Sequence, residues 1–323
     1  MNSGRQTTLA GRIELSGVGV HSGKPVSLTL LPADVDTGIV FTRSDVPFEQ
    51  QNDIPALSSS VGATALCTVL GDPAGLNVMT VEHLMAALMG IGVDNVMVEV
   101  DNPEIPVMDG SSEVFIDAID RVGIKEQARP RRYLRVLKDV KYESGDTWGM
   151  FTPGDTTRFE VEIDFDEPAI GNQSFTGDMT PGVFRKEISR ARTFGFMRDV
   201  ERYWAAGFAL GSSLDNSVVI GDDSTIVNPE GLRYTDEFVR HKTLDAVGDL
   251  ALAGAPFLGC YRSYKGGHKI NAMALEALLS DPSNYEWTDA SGNALRPAVP
   301  AAAAKGSGRL VAVAGPAYAA DKN

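Results

Sequence analysis

The 323 residues carry 43% hydrophobic and 22% charged side chains, with a formal net charge of −14 and a pI near 4.7. That balance describes about two ordinary domains with a sizeable core, and it excludes nucleic acid as a bulk partner, which needs a basic footprint. A phosphorylated small molecule stays open, because a few local cations suffice for it. Cys67 and Cys260 lack metal-type spacing and read as reduced thiols of a cytoplasmic protein. The polar start Met1-Asn2-Ser3-Gly4-Arg5-Gln6 holds no signal-peptide core, and no run of about 18 apolar residues offers a transmembrane segment. Contact with a lipid surface would be transient and made from the aqueous side.

Residues 7–42 read as short strands. Val26-Ser27-Leu28-Thr29-Leu30 alternates at period two, Gly17, Gly19 and Gly23 supply turns, and Gly38-Ile39-Val40-Phe41 resumes extended structure. Residues 43–79 are polar and turn-rich, with a short apolar stretch at 65–70, and read as a small insertion. A helix is expected over about 80–90, with Thr80 as N-cap and Gly90 and Gly92 near its end. A strand at 96–100, a loop through Pro103, Pro106 and Gly110, and a helix at 112–122 follow. Strands first, then helices with one more strand between them, fit an α+β layer.

At Ala128-Arg129-Pro130-Arg131-Arg132 the charge changes and a proline interrupts, which marks a linker. The same order then returns: strands at 133–142, 147–152 and 158–165, helices near 236–253 and 269–280. Two similar α+β domains, 1–128 and 132–282, are the economical account. The second carries its own insertion at about 195–222, rich in Phe196, Met197, Val200, Trp204, Phe208, Leu214 and Val219. Residues 283–323, with Ala301 to Ala304 and Gly306, Gly308 and Gly315, read as a loosely ordered extension without an assigned role.

The chain has four histidines. His83 lies in Thr80-Val81-Glu82-His83-Leu84, and His241 opens His241-Lys242-Thr243-Leu244-Asp245, which sets an imidazole and a carboxylate on one helix face. Two nitrogens and one oxygen are the set that holds a catalytic zinc and leaves its fourth position for water. Glu82 diverges from His83 by about 100° around the helix, so it can reach such a water as a base without sharing the ligand direction. His241, Leu244, Asp245, Gly248 and Asp249 share one broad face. The plain alternatives are a surface His–Asp pair worth a few tenths of a kcal/mol and a helix-terminal Glu favoured by the dipole. His268, after Lys265-Gly266-Gly267, reads as a third ligand, a general acid or an exposed loop residue, with Asp249 able to orient it and favour its protonated form. His21, in a glycine-rich turn, reads as a histidine bonding to backbone.

Thr80-Val81-Glu82-His83-Leu84, Asp94-Asn95, the stretch from Pro103 to Ser111, Ala191-Arg192-Thr193-Phe194-Gly195-Phe196 and the stretch from His241 to Asp249 together resemble the UDP-3-O-acyl-N-acetylglucosamine deacetylases, the LpxC family of zinc amidases in lipid A biosynthesis. The resemblance runs from about residue 5 to residue 280, in the right order. It implies a two-domain α+β fold with the helices packed between the sheets and the site at the domain interface. It implies removal of acetate from the 2-amide of a UDP-linked, 3-O-acylated glucosamine. Matched residue by residue, His83, His241 and Asp245 take the positions that bind Zn2+, with Fe2+ as the alternative metal. Glu82 takes the general-base position, His268 the general-acid position with Asp249 oriented toward it, and Thr193 the oxyanion contact. Phe194 and Lys242 take substrate contacts, and the insertion supplies an acyl passage through Val200, Leu214 and Val219. A cytoplasmic monomer is expected. The competing readings are an amidase for another N-acyl sugar nucleotide and a catalytically dead binding or structural zinc protein; Glu82 and His268 speak against the last, since neither is needed to hold zinc.

Overall fold

The computed structural model describes residues 4–47 and 52–295. The alternating stretch around Val26 becomes the strand Pro25–Pro32, in which Val26, Leu28 and Leu30 point into the core. It lies between Ile13–Val18 and Val96–Val100, both antiparallel to it. Ile39–Arg43 then adds in parallel to Val96–Val100, and Asp53–Pro55 closes this five-stranded sheet. The second sheet has seven strands around Phe257–Tyr264. That strand pairs in parallel with Arg132–Val136 through Phe257 and Leu258, then antiparallel with Thr147–Thr152 from Cys260 onward. Gly259, at φ 157°, sits where one neighbour hands over to the other; a Cβ there would lie 2.7 Å from the Thr152 carbonyl oxygen and 2.9 Å from Val136 Cγ2.

Between these sheets run helices that bury nearly every face. Glu82–Ile91 buries all its residues except Met89, and Glu237–Leu250 all except Arg240 and Lys242, as a middle layer requires. The two helices cross closely at Gly248, whose absent Cβ would lie 2.0 Å from the Glu82 carbonyl oxygen. That approach sets Glu82 and His83 against the face carrying Asp245 and Asp249. His268–Ser280 packs beside Glu237–Leu250 and against the strands Val140–Ser144 and Thr147–Thr152. The α+β class with helices between two sheets is therefore as the sequence led us to expect.

Several local expectations need correction. Thr80 is not a cap: Val81 holds that position, while Thr80 adopts φ 58° and donates its hydroxyl to Glu104 Oε1 at 3.1 Å. Residues 43–79 are not irregular throughout, because Asp53–Pro55 belongs to the first sheet and residues 61–79 build a three-stranded sheet of their own. The stretch 133–142 is two strands, Arg132–Val136 and Val140–Ser144. The linker at 128–132 falls largely within the strand Ile124–Pro130, which pairs with Arg5–Leu9. The extension begins with structure: Tyr285–Asp289 forms the edge of the second sheet against Arg132–Val136. The alanine- and glycine-rich part of that extension lies outside the described residues.

Candidate active site

Helix 82–91 supplies His83 from its first turn, and helix 237–250 supplies His241 and Asp245 one turn apart. One ligand atom from each lies within 4.8 Å of the others, and all three side chains are buried. Asp245 Oδ1 stands 3.3 Å from His241 Nε2 and 3.6 Å from His83 Nε2, and it has no hydrogen-bond partner among the described residues. Donors held about 2.0–2.2 Å from a tetrahedral zinc lie roughly 3.3–3.6 Å apart, so both separations from Asp245 suit such an ion. An unpartnered buried carboxylate oxygen also calls for a cation. His241 Nδ1 donates to the Ala191 carbonyl at 3.0 Å, which leaves Nε2 with its lone pair directed at the cluster. Burial lowers the His241 pKa to about 4, the neutral form a ligand needs. Asp245 stays ionised despite burial, because His241 and His83 face it.

Glu82 and His268 stand beside this triad. Glu82 is 2% exposed, and burial raises its carboxyl above the usual carboxylate range. The Thr68 N–H holds Oε2 at 3.1 Å, while Oε1 faces His268 Nε2 at 3.8 Å. His268 is the first residue of its helix rather than part of an exposed loop. Burial opposes its charged form, but Asp249 at 2.9 Å from Nδ1, with Glu82 beyond, outweighs this and pushes the pKa up to about 10. Asp249 also accepts from Thr68 Oγ1 at 2.6 Å and Asn271 Nδ2 at 2.8 Å.

Of the remaining expected residues, Phe194 and Lys242 come near this core. Thr193 lies two residues after Ala191, whose carbonyl backs His241, and its N–H donates to the Gly110 carbonyl at 2.8 Å. Phe194 packs edge-on against Phe238, with ring centroids 4.9 Å apart, and lies 6.3 Å from the His241 ring. Lys242 reaches along the helix to within 3.9 Å of Asp245 Oδ2. The insertion is a βαβ unit, Phe194–Phe196, Met197–Ala205 and Val218–Ile220, with its two strands parallel. Val200 and Val219 are half-buried there, while Leu214, Met197, Trp204 and Leu210 are exposed.

His21 differs from the expectation. The turn exists, but His21 Nδ1 is buried with no hydrogen-bond partner among the described residues, and its ring packs edge-on against Phe208 of the insertion. Burial lowers its pKa, with Glu104 opposing and His268 and His83 adding to the shift, so it borders the same site. Thr68, Asn271, Glu104 and the Ala191 carbonyl were missed. Glu104 is 1% exposed and accepts from the His21 and Ser22 N–H groups at 2.8 and 2.9 Å. The signal for it was present in the glycines of Gly17-Val18-Gly19-Val20-His21-Ser22-Gly23, which allow a carboxylate to approach successive backbone amides.

No helix among the described residues is long and apolar enough to cross a membrane. The model of the family "UDP-3-O-acyl N-acetylglycosamine deacetylase" (LpxC) matches residues 6–280. Curated relatives named UDP-3-O-acyl-N-acetylglucosamine deacetylase from Brucella ovis, Brucella abortus and Brucella melitensis are each 58% identical over 285 residues, covering 88% of this chain and 99% of theirs. The buried triad, its flanking Glu82 and His268, and this agreement along most of the chain lead to one conclusion: the protein belongs to the LpxC family, a family of metal-dependent amide hydrolases.

Proposed function

We propose that the chain removes acetate from the 2-amide of UDP-3-O-acyl-N-acetylglucosamine in lipid A biosynthesis, using a divalent cation held by His83, His241 and Asp245. We take the cation to be zinc, with iron(II) as the alternative for a two-histidine, one-carboxylate set. The observation that carries the reading is the buried ligand triad with Glu82 and His268 at its side, neither of which is needed to hold a metal.

A cation held by His83, His241 and Asp245 would supply Lewis-acid chemistry, polarising the amide carbonyl and acidifying the attacking water. Glu82, its Oε2 tied to the Thr68 N–H, uses Oε1 to take the proton of the attacking water. The Thr193 hydroxyl contacts the developing oxyanion; losing one such donor typically costs about 3 kcal/mol. His268, held protonated by Asp249, gives a proton from Nε2 to the departing nitrogen. Phe194 walls the sugar, and Lys242 meets phosphate. Val200, Leu214 and Val219 line the acyl passage, where each buried methylene contributes about 0.8 kcal/mol.

We further read the chain as two units, 1–128 and 132–282, acting as a monomer in the cytoplasm, where Cys67 and Cys260 stay as the free buried thiols they are. Any meeting with a lipid surface is brief. Metal analysis paired with acetate release tests the reading. A single bound zinc or iron is expected, with acetate released from the 3-O-acylated UDP-sugar far faster than from UDP-N-acetylglucosamine. Metal-free turnover would sink the site assignment, and equal rates on both sugars would sink the acylated substrate.

A further inference from the structure

His83 and His241 aim at the same point from two helices, yet they are held differently. His83 Nδ1 is buried with no hydrogen-bond partner among the described residues, whereas His241 Nδ1 donates to Ala191. The orientation of the cluster therefore depends on where the Ala191 carbonyl stands. The next residue, Arg192, is 2% exposed and is gripped by Glu237, one helical turn before His241 and fully buried. Glu237 Oε1 accepts from the Arg192 N–H at 3.0 Å and from Nε at 2.9 Å, and Oε2 accepts from Nη2 at 3.2 Å and from the Arg233 N–H at 2.6 Å. Arg192 Nη1 and Nη2 extend the grip to Glu230 and the Gly231 carbonyl, at 2.6 and 2.7 Å.

We propose that the Glu237–Arg192 pair is a positioning clasp that fixes the Ala191 carbonyl behind His241, and with it the tautomer and aim of His241 Nε2. The proposal rests on the reading that His241 is a metal ligand. Two rungs one turn apart, Glu237 to Arg192 and His241 to Ala191, lash the same loop segment to the same helix face. That segment runs directly through Thr193 into the strand Phe194–Phe196, so the clasp also sets the distance of Thr193 and Phe194 from the cluster. Net stability is a poor account of the pair, since apolar residues of similar volume commonly do as well as a buried ion pair. Its geometric consequence is specific.

Two substitutions loosen it without removing a side chain. Glu237→Gln turns an amide NH2 toward donors on one side or the other. Arg192→Lys keeps the charge and loses the planar fork. Each full-length variant is compared with wild type by far-UV circular dichroism, by chelator competition for zinc, by the visible bands of the cobalt(II)-substituted protein, and by kcat and KM at saturating metal. Zinc affinity should fall by about 10–100-fold, as for other partners that orient a ligand histidine. The cobalt bands should shift, and kcat should fall with KM little changed. Folded variants with zinc affinity within about two-fold of wild type and unchanged cobalt bands would overturn the clasp and leave a purely structural pair. Should Glu237→Gln not fold, Arg192→Lys decides. The underlying reading is tested apart: wild type that binds no metal, or His241→Ala that binds as well as wild type, refutes the ligand assignment and not the clasp.

Discussion

Asp245 and Asp249 sit one turn apart on helix 237–250, both almost fully buried, and each has an imidazole beside it. Their surroundings drive them to opposite ends. Asp249 spreads its charge over three short hydrogen bonds, from Thr68, Asn271 and His268, and so fixes a proton on His268. Asp245 Oδ1 has none; two ring nitrogens stand at 3.3 and 3.6 Å, and Lys242 Nζ approaches the other oxygen only to 3.9 Å. A buried carboxylate with three donors is complete, while one without them needs a cation. On the proposed reading, the same His–Asp pairing serves as metal ligand or proton store according to neighbours contributed by other elements.

Breaking the two carboxylates separately should give different phenotypes. Asp245→Asn removes the ligand charge, so metal content after dialysis and turnover should both collapse, metal affinity by more than about 100-fold. Retention of the metal would undo the assignment. Asp249→Asn should keep the metal and lower kcat by about 100-fold, the size typical of a mispositioned general acid. Its pH profile sharpens the contrast. His268 must be protonated to donate, so activity declines as pH rises through its pKa, which Asp249 holds at about 10. With that carboxylate neutralised the pKa drops, and the basic limb should move to lower pH. A basic limb that stays in place would show that Asp249 does not govern this proton.

How much of this was legible beforehand follows the physics of each signal. The candidate ligands lie on two helices with clear starts and spacing, so the grouping of His83, His241 and Asp245 could be read, and Asp249 followed from the same face. The groups that separate Asp245 from Asp249 in character were not legible. Thr68 comes from a short apolar stretch 181 residues away from Asp249, and Asn271 from the first turn of another helix. No local pattern ties a threonine to a remote carboxylate. The strand Phe257–Tyr264 escaped notice because its buried face, Phe257, Gly259, Tyr261 and Ser263, includes a glycine and a serine while the other face carries Leu258 and Cys260, which erases alternation in the sequence. Ile124–Pro130 is exposed along nearly its whole length and owes its extended form to pairing with Arg5–Leu9, so its sequence reads as a charged linker. Thr80 looked like a cap because its residue type is right, but Glu104 draws its hydroxyl away from the helix.

The smallest expected effect lies away from both carboxylates, in the insertion. Val219 is half-buried on its strand and Leu214 is 39% exposed, so neither anchors the fold, yet both are apolar on a segment joined to Phe194 by strand pairing. Replacing either with Asn removes contacts for a few methylenes of the acyl chain, about 1–2 kcal/mol, which corresponds to a 5–30-fold rise in KM for a long-chain substrate. The chemistry happens at helices 82–91 and 237–250, so kcat should change by less. Shortening the acyl chain supplies the internal control, because a substrate that never reaches the passage should not distinguish the variants from wild type. If KM is the same for long-chain substrate, or rises equally for short and long, the apolar side chains of the insertion serve packing alone and the acyl chain leaves the site by another route.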